Sequence, residues 1–213
     1  MNTYAKFCPN VFLAKCTEKH HKGEVIQVKT KYGKENDCIV HNFIYEKDGH
    51  YFYSITREDG TNAQTVAQKR LEKMEGYAGN ADAKSNEAWE ASNEGRDFLA
   101  LGEPIKVGHH SERRHRALIE RNHNRMSKSV ELADKAQAYR DRSAYWAGRT
   151  DIVNLSMPES VEYFEFKLEE ALMTQEGMKN GTIERSHSFS LAYATKEVKT
   201  MRENLELANR LWA

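Results

Sequence analysis

The feature that most constrains this chain is a change of period near Gly60. Before it, from Glu24 to Thr56, β-branched and aromatic residues come in short runs: Val25, Ile26 and Val28, then Cys38 to Tyr45, then Tyr51 to Ile55. Tyr32-Gly33-Lys34 and Lys47-Asp48-Gly49 separate the runs with turn chemistry, so consecutive antiparallel pairing is the economical reading. A three-stranded β module over residues 1–60 is expected. Such a sheet is marginal alone and needs a helix over its apolar face.

After Gly60 the pattern is helical. Thr61 to Asn93 reads as one long alanine-rich, charged helix, although Gly76 and Gly79 each weaken its middle by about 1 kcal/mol and leave a break there as an alternative. Phe98 to Gly108, with Gly102, Pro104 and Gly108, reads as irregular. Ser111 is a good N-cap for a second helix running to about Arg149. At 1.5 Å per residue each helix extends roughly 45 Å or more, so a hairpin over residues 61–150 is expected. Pro158 suits the first position of a third helix, Glu159 to about Met178, which Asn180-Gly181 ends. A fourth runs from about Ser188 to Trp212. Phe164, Leu168, Leu172, Leu191, Val198 and Leu205 give this pair, residues 151–213, apolar positions with which to pack on the hairpin. The fold class is therefore α+β, mostly α.

At 213 residues the chain has no room for a second large domain. Charged residues make up 30% yet the formal net charge is zero. That argues against a surface attractive everywhere to nucleic acid or anionic membrane, and leaves room for one locally basic face. Cys8, Cys16 and Cys38 are odd in number and irregularly spaced, which suits a reducing compartment. No apolar leader follows Met1 and no run approaches the roughly 20 apolar residues that span a bilayer. A cytoplasmic protein without a membrane partner is expected.

The basic face has one obvious candidate. Lys106 to Lys128 carries seven Lys or Arg residues (Lys106, Arg113, Arg114, Arg116, Arg121, Arg125 and Lys128) against Glu112 and Glu120, with four of the nine histidines. Arg113, Arg114 and Arg116 fall in the opening turns of the second long helix, where the macrodipole disfavours each exposed cation by about 0.3 to 1 kcal/mol. Something anionic should offset them. Gly108 would let a ligand approach backbone N–H groups, and Ser111, His115, Arg121 and Lys106 complete a set suited to phosphate or carboxylate. The alternative is that Glu103, Glu112 or carboxylates of a neighbouring helix neutralise the arginines. His109 or His110 as acid or base, with Glu112, is a catalytic reading of the same place. A metal site of His109, His110, His115 and Glu112 is disfavoured, because residues five apart diverge by about 140° on a helix. Against these stands the reading that His115 and His123 simply pack beside Ile119 and Met126. Cys16, His20, His21, Cys38 and His41 suggest zinc only weakly, since Cys38 and His41 should point to opposite faces of one strand. Trp89, Trp146 and Trp212 read as packing anchors rather than base-stacking platforms.

The run Phe98-Leu-Ala-Leu-Gly-Glu-Pro-Ile-Lys-Val-Gly-His-His-Ser-Glu-Arg-Arg-His-Arg116, between two helices, resembles the bacterial domain-of-unknown-function family 3560 (DUF3560). Its Gly-x-Pro-Ile-x-Val-Gly-His-His-Ser-Glu signature falls on Gly102, Pro104, Ile105, Val107, Gly108, His109, His110, Ser111 and Glu112, and the resemblance covers about Tyr53 to Trp146. Glu103 stands where glutamine is more usual in the family. The resemblance implies no established activity. It does imply the company of plasmids, conjugative elements and phages, which favours nucleic acid or a nucleotide as partner and raises the weight on His109 to Arg116. Three functions follow as expectations. The first is a binding module for nucleic-acid phosphate or a nucleotide. The second is a histidine-dependent enzyme, with or without the help of a metal, acting on a phosphoester or nucleotide. The third is a helical scaffold in which Leu205, Leu207, Leu211 and Trp212 serve a homodimer or another protein partner. No particular cofactor is specified.

Overall fold

A computed structural model describes residues 1–213. The chain divides into two compact units, residues 1–66 with 151–213, and residues 67–150.

The first unit is a closed five-stranded barrel with two helices. Strands β1 (Asn2–Cys8), β2 (Val11–Cys16), β3 (Val25–Lys29), β4 (Glu35–Lys47) and β5 (His50–Arg57) are ordered β1-β2-β5-β4-β3. All neighbours are antiparallel except β1 and β3, whose parallel pairs Asn2–Val28 and Thr3–Lys29 close the barrel. The three expected strands are present as β3, β4 and β5. Asp48 and Gly49, both with positive φ, form the two-residue turn that a right-twisted hairpin favours. The expected count was two strands short. β1 and β2 escaped because Lys6, Lys15 and Ala5 dilute their β-forming residues, yet a Pro9-Asn10 turn with Asn10 at φ 65° joins them. Closure leaves no open sheet edge, which resolves the marginality of three strands.

Period-two alternation sorts the barrel's residues into two layers. Ala14, Cys16, Ile26, Val28, Cys38, Val40 and Tyr53 fill the interior. Val11, Leu13, Ile44 and Phe52 form an outer layer with Leu211, flanked by Leu155 and Trp212. Leu211 and Trp212 end the helix α5 (Ser190–Trp212), which pairs with α4 (Ser160–Asn180). Ser54 Oγ donates to the Leu211 carbonyl at 2.7 Å, Trp212 Nε1 donates to the Leu155 carbonyl at 3.0 Å, and the Trp212 ring meets His41 edge to face at 5.2 Å. The C-terminal pair thus groups with the barrel, whereas packing on the hairpin was expected. The apolar end of α5 is what the outer face of the sheet requires. Gly181, left-handed at φ 82°, ends α4 as expected.

Most of α1 (Ala63–Ala91), with α2 (Arg96–Ala100) and α3 (Glu112–Ala147), makes up the second unit. Asn62 starts α1 through reciprocal bonds: its Oδ1 accepts from the Thr65 amide and its own amide donates to Thr65 Oγ1, both at 2.9 Å. The helix continues through Gly76 and Gly79, so the alternative of a break is not realised. Arg140 meets Asp82 at 2.7 Å, Ser85 Oγ donates to the Ser129 carbonyl at 2.8 Å, and Asn122 Nδ2 donates to the Glu94 carbonyl at 2.8 Å. Residue numbers rise on one helix as they fall on the other, which defines the expected antiparallel hairpin. Ala67, Leu71, Met74, Ala78, Ala81, Ser85, Ala88 and Ser92 recur at alternate fours and threes, as do Leu118, Asn122, Arg125, Ser129, Leu132, Ala136, Tyr139, Ser143 and Trp146. This is coiled-coil spacing. Every buried member is alanine or serine.

Candidate anion-binding site

The basic segment lies at the end of the hairpin where α1 hands over to α3. Gly95, left-handed at φ 67°, turns the chain, and a Cβ there would come within 2.9 Å of Leu118 Cδ2. The left-handed conformation favours glycine, and any larger residue would also have to displace the Leu118 methyl. The short helix α2 follows, a turn and a half of ordered chain inside a stretch expected to be irregular.

Between α2 and α3, Lys106 to His109 form a turn in which the His109 amide donates to the Lys106 carbonyl at 3.1 Å. Gly108 occupies its third position at φ 79°, where glycine is favoured. Glu112, the first residue of α3, then locks the turn. Its Oε2 accepts from the Gly108 amide at 2.6 Å and its Oε1 accepts from Arg116 Nε at 2.8 Å. The Gly108 N–H first, then the Arg116 guanidinium, hold its carboxyl below the ordinary glutamate range. Ser111 stands at the N-cap but its hydroxyl does not cap. It bonds to His109 Nδ1 at 2.7 Å, and the Ser111 amide donates to the same nitrogen at 3.3 Å. Two donors on Nδ1 fit the tautomer with its proton on Nε2. The His110 ring lies 4.1 Å from that of His109, and both are exposed.

The remaining basic residues divide into two groups. Lys106 reaches Glu103 at 3.7 Å, Arg116 has Glu112, and Lys128 has Glu131 at 3.0 Å. Glu94, just past the end of α1, takes Arg121 on one oxygen at 3.0 Å and Arg125 on the other at 2.5 Å. Bonds from Arg125 and then Arg121 lower the Glu94 pKa. Arg113 and Arg114 are exposed in the first turn of α3 and belong to none of the ion pairs. The expected neutralisation by carboxylates therefore operates at Arg121 through Glu94 and at Arg116 through Glu112, and stops short of the two arginines nearest the positive helix end. Glu94 was not foreseen as a partner, because its role depends on hairpin register rather than local spacing.

His115 is half-buried edge to face with Phe98 at 5.1 Å, a contact with α2 that replaces the expected neighbours Ile119 and Met126. His123 is exposed rather than interior. No group of three or more His, Cys, Asp or Glu side chains converges as metal ligands would. Cys16 and Cys38 are enclosed in the barrel, while His20 bonds to Glu24 and His41 to Thr56, each at 2.8 Å. No helix is long and apolar enough to cross a membrane.

Comparison with known proteins gives no match to a curated protein or to a solved structure. A family model described as "Domain of unknown function (DUF3560)" matches residues 62–184, more than half of the chain. The match starts at the N-cap of α1 and passes through α3 to include α4, so it reaches beyond the hairpin that the sequence motifs delimit. On that match, the chain belongs to the DUF3560 family.

Proposed function

We propose that this protein binds an anionic ligand, nucleic-acid phosphate or a nucleotide, at the start of α3. One observation carries the reading: Arg113 and Arg114 are the arginines of the segment left without a carboxylate, and they sit where the helix macrodipole is already positive. A phosphate there would gain two guanidinium donors as well as relief of that repulsion. Arg116 and Arg121, held by exposed and solvent-screened ion pairs, can exchange a carboxylate for a phosphate at low cost. Lys106, Gly108, Ser111 and His115 shape the approach. The expected association of this family with mobile elements and phages favours nucleic acid as the source of the phosphate.

The test is fluorescence anisotropy of labelled single-stranded and duplex oligonucleotides, and of a labelled nucleoside triphosphate, over a range of salt. Wild type should bind with affinity that falls steeply as salt rises. Arg113→Ala/Arg114→Ala should reduce the slope of log affinity against log salt by about two, one for each phosphate contact removed. Absence of binding by wild type at low salt, or a double variant that binds like wild type, would sink the proposal.

A second reading rests on the paired rings of His109 and His110, exposed within five residues of Arg114. With Nδ1 of His109 accepting two bonds, its Nε2–H can donate a hydrogen bond to a bound phosphoester, which leaves the neighbouring His110 as the ring to exchange a proton with it. Turnover of a phosphoester that is abolished by His110→Ala, with helical circular dichroism unchanged, would support this reading. Its absence in wild type would remove it.

A further inference from the structure

The unit spanning residues 67–150 buries only alanine and serine. The seam's buried side chains are small, its larger members are only half-buried, and Trp89, Ile119, Met126 and Val130 lie outside it. The face those four share follows from one register point, the ion pair of Asp82 and Arg140. Residues seven apart share a helix face. Trp89 therefore lies on the Asp82 side of α1, and Ala133, Met126 and Ile119 lie on the Arg140 side of α3. By the Ser85–Ser129 and Asn122–Glu94 contacts Trp89 comes level with Met126, and Val130 and His123 fill the same strip.

Trp89 is 51% exposed, Met126 45%, Val130 56% and Ile119 42%. Together these leave on the order of 400 Å² of apolar surface, which matches the apolar share of a standard interface of about 800 Å² per partner. From Ile119 through His123, Met126 and Val130 to Ala133, the α3 side of the strip holds no Lys, Arg, Asp or Glu. That absence selects among partners. A partner recognised by charge would find nothing to pair with here, whereas a two-fold contact brings each residue close to its own counterparts and is penalised by any charge on the strip.

We infer that this strip is the contact between two copies of this chain. The α3 helices lie antiparallel about a two-fold axis near Met126, and the two hairpins complete a four-helix bundle. Small side chains then form the seam within each hairpin and large ones the seam between them. Arg113 and Arg114 lie outside the strip, so this inference stands or falls apart from the proposed binding site.

Sedimentation equilibrium of the full chain over a wide concentration range tests it. Wild type should approach twice the chain mass, and Met126→Glu/Val130→Glu should sediment at the single-chain mass. A wild type that stays monomeric at high micromolar concentration, or a dimer untouched by the double substitution, overturns the inference. Should the double variant lose helix, Met126→Cys decides. Mild oxidation should cross-link it to a covalent dimer under conditions that leave the wild type uncross-linked, since Cys16 and Cys38 are buried and Cys8 is partly so. Failure of that cross-link overturns the inference equally.

Discussion

The barrel unit and the hairpin unit of this chain are built on opposite uses of side-chain volume. In the barrel, Leu13, Val28, Val40 and Leu211 are fully buried, in two layers that the pleat of the sheet separates. In the hairpin, Ala136 is the most enclosed residue and its buried neighbours are serines and alanines. The barrel therefore draws its stability from apolar area removed from water, at roughly 25 cal/mol per Å². The hairpin draws on small buried side chains, Ser85–Ser129 hydrogen bonding, and polar contacts such as Arg140–Asp82. The first kind of core is damaged by making a residue smaller, the second by making one larger.

The largest effect should come from Leu211→Ala. Leu211 is 0% exposed between α5 and the outer barrel layer, and its carbonyl accepts from Ser54 Oγ. Deleting it removes apolar contact and leaves a cavity, so a loss of about 2–5 kcal/mol is expected in urea unfolding. A loss below about 1 kcal/mol would show that α5 contributes little to the barrel, and would undo the assignment of α5 to that unit. Next in size is the mirror experiment in the hairpin, Ala136→Leu. There is no room at the seam for three more carbons, and overpacking should cost about 1–3 kcal/mol, read as a lower thermal midpoint. A stabilised Ala136→Leu variant would mean that the seam is looser than the Ser85–Ser129 contact implies.

The same contrast explains what the sequence made legible. The β3–β5 meander could be read because Asp48-Gly49 names its turn and Cys38–Tyr45 alternates. β1 and β2 could not, although a tight turn joins them, because their own runs are short and broken by lysine. The helices were legible, down to Gly181 at the end of α4, since caps and breakers are local signals. The heptad seam was not, because Ala and Ser at those positions carry almost no hydropathy contrast against their neighbours. At the site, the sequence located the basic segment and the turn at Gly108, and it allowed for carboxylates from a neighbouring helix. It could not name Glu94, whose pairing with Arg121 and Arg125 exists only once α1 and α3 are in register. That pairing, with the local Glu112–Arg116 bond, separates Arg113 and Arg114 from the other arginines, so the distinction used in the proposed function is in part a tertiary one.

The smallest expected effect is in the pH response of the two units. In the barrel unit, burial first and then the positive charge of Lys22 lower the pKa of His41, which packs on Trp212 and bonds to Thr56. A histidine whose folded pKa lies below its unfolded value near 6.5 resists protonation only while folded. Its stabilising environment is fully effective above that unfolded value. It weakens as pH falls below about 6.5, with the full loss reached below the folded pKa. The hairpin has no such step near neutrality in its ion pairs. Lys135 and Lys128 hold Glu131 down at about 2, so that pairing persists until pH falls through the carboxylate range. In the window just below pH about 6.5, acid should therefore loosen the contact of α5 with the barrel before it touches the ion pairs of the hairpin. Urea midpoints for wild type and His41→Gln across that window should differ in slope, the wild type losing stability more steeply as pH falls. Parallel slopes would mean that His41 titrates as freely in the folded protein as in the unfolded chain, and that its contact with Trp212 does not depend on the ring being neutral.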